Sequence, residues 1–333
     1  MAASEIMRWE QLTRLCNKLQ WPEFTLTNMI DKEPVQGTFA RWDVETPDIE
    51  MSVEIGVANA PFDIVKPTTE GTTSQQMLTS NKMVLLSADD MLQQRILGFQ
   101  ERDVRGQNKL LREAANIRKK FGDNVTEYMW ANALQGTLAM TVNNAPKTFS
   151  WSIPANNLVA ATTVWTNVAA DIIGDLEAAD AAVSAGSGRM AQIAICNPYT
   201  MSLMLKNTTV QAWLGQASFS EQYLKFGQVK ELMGLEFIKH RGRYAPVGTT
   251  DRFTTPFIPN GKVIIMPRPT SDWISLQVGS LAKPEGNWFT EVQGPFNWTE
   301  NSTDTGVGVK LLFRSARFAT IRIPGAICVL TVT

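Results

Sequence analysis

Between Val104 and Gln135 the apolar residues Leu110, Ala114, Ile117, Phe121, Val125, Met129 and Ala133 recur every three or four positions. On a helix of 3.6 residues per turn they form one stripe, with Arg112, Arg118, Lys119, Glu127 and Asn132 largely off it. The spacing predicts one long helix, or two with a break near Gly122, stopped by Gly136. Such a rod is roughly 45–50 Å long, enough to act as a spine on which other elements lie. Ile117, Phe121, Val125 and Met129 are its expected core anchors against a sheet. Residues 4 to 20 predict a second amphipathic helix. Ser4 is the N-cap, Ile6, Trp9, Leu12, Leu15, Cys16 and Leu19 lie on one side, and Trp21-Pro22 forms the stop. The segment from there to Pro34 has little periodicity. It packs on its own domain or reaches onto a neighbour.

From Thr38 to Ile64 the period changes to two, as in FARWDVE and IEMSVEIGVA, which predicts strands. The stretch Pro67 to Ser80 is rich in Thr, Ser, Gln and Gly, and strand-like flanks stand at 62–65 and 83–86. We read this as a long hairpin with a polar tip. A lone hairpin buries too little surface to hold itself together, so it needs a platform in its own chain or another. Ser87-Ala88-Asp89-Asp90 is a helix start, for a short helix to about Phe99.

LAMTV and TFSWSI predict a hairpin across Asn143 to Pro146. Helices then alternate with short strands: a helix over 166–185, a strand at 191–196, a helix from Pro198 through Leu214, a helix from Glu221 to Met233, and strands in LEFIKHRGRY and KVIIMP. That alternation indicates an α/β lobe. The chain then returns to β, with strands at Trp273 to Leu281, Trp288 to Val292, Gly308 to Phe313, Arg317 to Ile323 and in ICVLTV. No internal repeat is visible.

With 333 residues the chain can bury one large core or two intertwined ones, and a net charge of −1 gives no global pull toward nucleic acid. Ten Trp and fourteen Met fit either core filling or large buried interfaces. Cys16, Cys196 and Cys328 lie far apart without a CxxC, as small buried thiols of a reducing compartment. The N-terminal stretch has no apolar core of a signal peptide, and no run approaches the roughly 20 apolar residues needed to span a bilayer.

Candidate chemistry is sparse. The single histidine, His240 in KHRGR, is expected at the surface, and no Ser/His/Asp set can form without it. His and Cys are too few for a metal site, and Asp89-Asp90 is better explained as helix capping. Asp171 and Asp175 could also meet a hard cation. GSGRMA at 186–191 precedes a strand instead of joining strand to helix, so it fails as a dinucleotide loop. The run Arg102, Arg105, Lys109, Arg112, Arg118, Lys119, Lys120 is either a solvated face balanced by Glu101, Asp103 and Glu113, or a face turned to phosphates.

Taken in order, PFDIVKPTTEG, the helix ending EYMWANALQGTL, FSWSIPANNLV with VWTNVAADIIGDLEA, IAICNPYTMSLMLKNTTVQAWL, VKELMGLEFIKHRGRY, FIPNGKVIIMP and IPGAICVLTV cover most of the chain from about residue 30. Their order and spacing resemble the major capsid proteins of tailed bacteriophages, of the lambda-type capsid E family. The resemblance implies an α+β fold of the Hong Kong 97 type. Its parts would be an N-arm (1–38), an E-loop hairpin with its flanks (39–98), a P-domain with the spine helix (99–159), an A-domain (160–285) and P-domain return strands (286–333). Lys66, Pro67, Thr68, Thr69, Glu70, Gly71, Thr72 and Thr73 would be the E-loop tip that meets a neighbouring subunit.

The implied protein is a non-enzymatic shell subunit with no cofactor and no metal. Its partners would be copies of itself in hexamers and pentamers, portal, scaffold and decoration proteins, and packaged DNA by non-specific contact, with no membrane. It would reside in the virion after assembly in the host bacterial cytoplasm. An encapsulin-type compartment shell has the same implied fold. An α/β hydrolase or transferase is the rival of another class, and the single histidine and missing nucleophile motif stand against it.

Overall fold

A computed structural model describes residues 9–45, 70–87, 102–142, 145–214, 229–245, 254–285, 288–302 and 308–333. These residues mix helices and sheets and divide into two compact units. The first comprises Met1–Ala40, Ser74–Trp130 and Ser275–Thr320, and the second Arg41–Thr73, Ala131–Ile274 and Ile321–Thr333.

The first unit contains the spine. Arg102–Arg118 is α-helix, Lys119–Asp123 is a π-helical turn that includes Gly122, and Asn124–Ala133 is α-helix again. A π-turn inserts one extra residue, so the buried stripe moves by one position beyond it. Leu110, Ala114 and Ile117 are buried as the periodicity predicts. From the turn onward Gly122, Thr126 and Trp130 are buried, while Phe121 and Val125 are only half-buried. Phe121 packs at the edge of the cluster formed by Leu12, Cys16, Leu110, Ala114, Ile117, Leu311 and Phe313. Gly122 admits the facing strand closely, since a Cβ there would stand 3.0 Å from Arg317 Nη2 and 3.2 Å from the Phe313 ring.

That facing strand, Gly308–Ile321, is one continuous element where two were expected. It pairs antiparallel with Phe296–Ser302 on one side and Leu78–Ser87 on the other. Val309, Leu311 and Phe313 are buried, and the alternating Lys310, Leu312 and Arg314 are half-buried. The sheet continues through Ile274–Glu285, which carries Lys32–Val35 parallel and Trp288–Gln293 antiparallel. The N-terminal helix Trp9–Lys18 contributes Leu12 and Cys16 to the spine cluster. Its Thr13 hydroxyl accepts from Asn297 N and donates to Asn297 O, both at 3.1 Å.

The polar stretch expected as a hairpin tip is strand instead. Glu70–Gln76 pairs with Phe39–Glu45, and Leu78–Ser87 joins the sheet of the first unit. Thr and Ser are frequent there because most positions of these strands face solvent, and a β-branched Thr fits extended backbone. Met77, between the two strands, is buried, and its N–H donates to Thr38 O at 2.9 Å. Residues 46–69, the predicted helix at 88–99 and the Ser4 cap lie outside the described residues.

The second unit is built on a six-stranded sheet ordered Leu158–Ala160, Cys328–Thr331, Lys262–Met266, Ile193–Cys196, Leu235–Lys239, Glu231–Leu232. The helix Ile172–Ser187 lays Ile172, Leu176, Ala179 and Val183 into a core with Ala194, Phe237, Val263, Ile265 and Leu330. It starts later than the apolar pattern predicts because Asp171 caps it, accepting from Gly174 N at 3.0 Å. The expected single helix from Pro198 is two, Pro198–Lys206 and Thr208–Leu214, broken by Asn207, which accepts from Thr209 N and Val210 N. The end of the predicted helix Glu221 to Met233 is a tight hairpin. Met233 and Gly234, at φ +55° and +75°, turn Glu231–Leu232 back onto Leu235–Glu236.

The helix Ile172–Ser187 crosses the 3₁₀ turn Pro324–Ala326 backbone to backbone. A Cβ on Gly186 would stand 2.7 Å from Gly325 O, and one on Gly325 would stand 2.1 Å from Gly186 O. Gly325→Ala is therefore expected to destabilise the subunit by at least about 1–3 kcal/mol, the usual cost of overpacking. Urea denaturation of the unassembled protein measures this, and an unchanged midpoint would mean the two backbones have room to part.

Candidate functional site

Among the described residues most of the buried charge gathers at the junction of the spine with the arm and with the strand Gly308–Ile321. The π-turn sets Arg118 and Asp123 five residues apart on the same side of the rod. Arg118 Nε meets Asp123 Oδ2 at 3.3 Å, and Arg317 Nη1 reaches Asp123 Oδ1 at 3.8 Å. All three side chains are nearly inaccessible to solvent. Further bonds hold the two guanidiniums: Arg118 Nη1 donates to Asn17 Oδ1 at 2.6 Å, Arg317 Nη2 to Ser315 Oγ at 3.0 Å, and Arg317 Nη1 also to Thr126 Oγ1. Burial pushes the Arg317 pKa down to about 10, while the charge of Asp123 opposes that shift.

One turn further along, the buried Glu127 holds the arm. Its carboxylate accepts from Leu26 N at 3.0 Å, Thr27 N at 2.8 Å and Thr27 Oγ1 at 2.7 Å. The short helix Thr25–Met29 has Phe24 at its N-cap, which supplies no side-chain acceptor. Glu127 provides the cap from about a hundred positions away. Lys119 completes the attachment, 2.5 Å from Glu23 and 4.4 Å above the Trp21 ring. Its hydrogen bond holds the Glu23 carboxyl below the usual range. The alternatives for this segment thus resolve toward packing on its own unit, from Trp21 through the parallel strand Lys32–Val35.

The expected site residues fall in two groups. Ile117 and Met129 are buried, and Phe121 and Val125 are half-buried because of the π-turn. Glu70, Gly71, Thr72 and Thr73 lie on the strand Glu70–Gln76, where Thr72 Oγ1 donates to Asp43 Oδ1 at 2.8 Å, while Lys66, Pro67, Thr68 and Thr69 are outside the described residues. The basic run of the spine is split: Arg118 and Lys119 bind the arm, and Arg112 and Lys120 remain exposed. Sequence reasoning did not find the ion cluster. Its signals were Gly122 inside a helical run and Arg317 inside an apolar strand.

Chemistry expected elsewhere has structural partners. Asp175 accepts from Thr162 N and Trp165 Nε1, both at 2.9 Å, so it pins a loop to its helix. His240 is buried, not at the surface, edge-on to Phe257 at 5.8 Å, because the strand Leu235–Lys239 carries it inward. Among the described residues no group of three or more His, Cys, Asp or Glu is arranged to hold a metal. Burial pushes the thiols of Cys16 and Cys328 up to about 11 and that of Cys196 up to about 12, so at neutral pH they are protonated and poor nucleophiles. No described helix is long and apolar enough to cross a membrane.

A helical rod on a sheet, with an α/β unit alongside in sequence, has matches among solved structures. A phage-related protein of Bordetella bronchiseptica RB50 aligns with a TM-score of 0.58 at 12% identity, over 96% of this chain and 95% of that one. The capsid of a native GTA particle aligns at 0.56 and 12% identity, over 100% and 95%. An encapsulin from Synechococcus elongatus PCC 7942 aligns at 0.50 and 12% identity, over 100% and 92%. At these identities the likeness is one of fold, and the fold is that of capsid-type shell proteins. Residues 11–332 match the model of phage major capsid protein E, and the chain belongs to that family. It is a structural subunit of a bacteriophage capsid. No curated protein sequence matches it.

Two stability measurements check the geometry. Asp123→Ala leaves two guanidiniums buried without their carboxylate and should cost about 3–5 kcal/mol. Trp130→Ala should cost about 3–5 kcal/mol, while Phe121→Ala, at a half-buried position, should cost less than about 2 kcal/mol. Equal losses at Trp130 and Phe121 in urea denaturation would contradict the one-residue shift of the buried stripe.

Proposed function

We propose that copies of this chain assemble head-to-tail into hexamers and pentamers, and that these close an icosahedral head around packaged double-stranded DNA. The observation that carries this reading is the family match across residues 11–332. The surface supports it. Met83 and Leu85 alternate along the outer face of the strand Leu78–Ser87 and stay about half exposed, and Phe289 is 76% exposed in the same unit. In the second unit Val164, Val168 and Met190 are exposed as well. Apolar side chains left open in this number suit a protein whose neighbours cover them.

In this reading the first unit supplies most of a P-domain and the α/β unit supplies an A-domain facing the ring axis. The paired strands Phe39–Glu45 and Glu70–Gln76, with residues 46–69 between them, form the E-loop over a neighbour. Backbone pairing gives such contacts direction, and a head-to-tail interface closes into a ring. A net charge of −1 allows only weak non-specific contact with DNA, which eases filling. Portal, scaffold and decoration proteins would complete the head in the host cytoplasm. Replacing residues 46–69 by a short Gly-Ser linker should leave a subunit of unchanged urea midpoint that forms no closed shells. Normal shells from this variant in electron micrographs would refute the assembly role of the insertion.

A second reading, a cellular compartment shell, rests on the encapsulin likeness alone. Particle contents separate the two: nuclease-protected DNA fits a head, and a packaged enzyme fits a compartment.

A further inference from the structure

The spine turns a row of cations away from its sheet. Lys109, Arg112, Asn116 and Lys120 recur every three or four residues, opposite the buried Leu110, Ala114 and Ile117. Arg112, Asn116 and Lys120 are exposed and Lys109 is half-buried. At 1.5 Å per residue the row spans roughly 16 Å. The N-terminal helix lies alongside, held through Leu12, Cys16 and the bond from Arg118 to Asn17, and its exposed side adds Arg14 and Lys18. Arg14, Lys18, Arg112 and Lys120 form no hydrogen bond or ion pair among the described residues. Against Arg14, Lys18, Lys109, Arg112 and Lys120 this side carries Glu10 and the half-buried Glu113, an excess of three positive charges among the described side chains. The flanks do not cancel it. On the arm Lys119 is matched by Glu23 and Lys32 stands with Asp31, while the exposed Lys82 comes in from the strand beside the spine, 4.9 Å from the Phe121 ring.

We propose that this helical side of the first unit is the surface that meets the phosphates of the enclosed DNA, and hence the side turned to the inside of the shell. A helix face that only meets water intersperses acids four residues from its bases, because like charges at that spacing cost stability. Here Arg112 has Lys109 three residues before it and Asn108 and Asn116 four residues to either side. Lys120 has Asn116 and Asn124 at those places, and Asp123, three residues on, is buried and turned to Arg118 and Arg317. The uniform sign thus costs the isolated helix something that an outside polyanion returns. An acidic protein segment would also need apolar anchors, and the row offers none, with Asn116 between its cations. Phosphate contact asks only for charge and donors and reads no sequence. The contact rests on the reading of the chain as a shell around DNA, and an excess of this size keeps it weak enough for filling.

The test uses the unassembled full-length chain and a short duplex oligonucleotide, with binding read by fluorescence anisotropy over a series of salt concentrations. Arg112→Gln and Lys120→Gln should each lower the slope of log affinity against log salt by about 0.9, and the double variant by about 1.8. Their urea midpoints should stay the same or rise, since each change relieves repulsion on an exposed helix face. Lys147→Gln and Lys206→Gln, exposed in the second unit, should leave the slope unchanged. In electron cryomicroscopy of filled wild-type heads, Arg112 and Lys120 should face the outermost layer of DNA. The proposal is overturned if the wild-type chain binds no duplex at low salt, or if the two spine variants keep its slope. Equal losses in the second-unit variants would also overturn it, as a diffuse effect of total charge. A polyglutamate peptide that binds more tightly than the duplex at equal salt would assign the face to an acidic protein instead. Filled heads with this row on their outer surface sink this contact alone, whereas a wild-type chain that never forms shells sinks the assembly reading with it.

Discussion

The first unit depends on one carboxylate placed between two guanidiniums out of water. Desolvating three charges is expensive, and their attraction repays the cost only if the remaining donors are also satisfied. Thr126, Ser315 and Asn17 each accept from one of the guanidiniums, and each comes from a different segment. The cluster therefore specifies a relative position for the spine, the long strand and the N-terminal helix that apolar packing alone would leave loose. The π-turn is the backbone adjustment that makes it possible, because an unbroken α-helix would set Arg118 and Asp123 on different faces. Glycine at 122 then lets the strand bearing Arg317 come close enough to close the network.

The second unit gains order by other means. Asp171, Asn197 and Asn207 each cap a helix, and Asn157 donates to Gly325 O and Ile327 O at the crossing of the two glycines. These are neutral or singly charged bonds around a sheet whose central strand, Ile193–Cys196, is buried along its whole length. One unit is tied by buried charge and the other by caps and a neutral amide, so salt and pH act on them differently. Screening reaches exposed pairs such as Lys119–Glu23 far more readily than the buried Asp123.

Much of this was legible because periodicity reports burial. The spine, the α/β lobe and the β return follow from apolar spacing, and the resemblance to phage capsid proteins follows from their order. The site was harder to read. A π-turn adds one residue without any compositional mark except Gly122, so the stripe drawn through Phe121 and Val125 drifted off the core. Strand edges exposed to water are written in Thr, Ser and Gln, which also write loops, and Glu70–Gln76 was misread for that reason. Met233 in a left-handed turn defeats any propensity rule, since the tight return of its hairpin imposes it. Charge pairing across about 190 residues, as between Asp123 and Arg317, leaves no local pattern.

The Thr13 hydroxyl on the outer strand Phe296–Ser302 has a consequence for growth. A subunit that must stick to many copies of itself risks adding strand to strand without limit, ending in fibres in place of a container. By taking both the amide and the carbonyl of Asn297, one small side chain removes a rung that a foreign strand would need. Polymerisation is thereby steered away from an open-ended ladder and toward contacts whose curvature lets them finish.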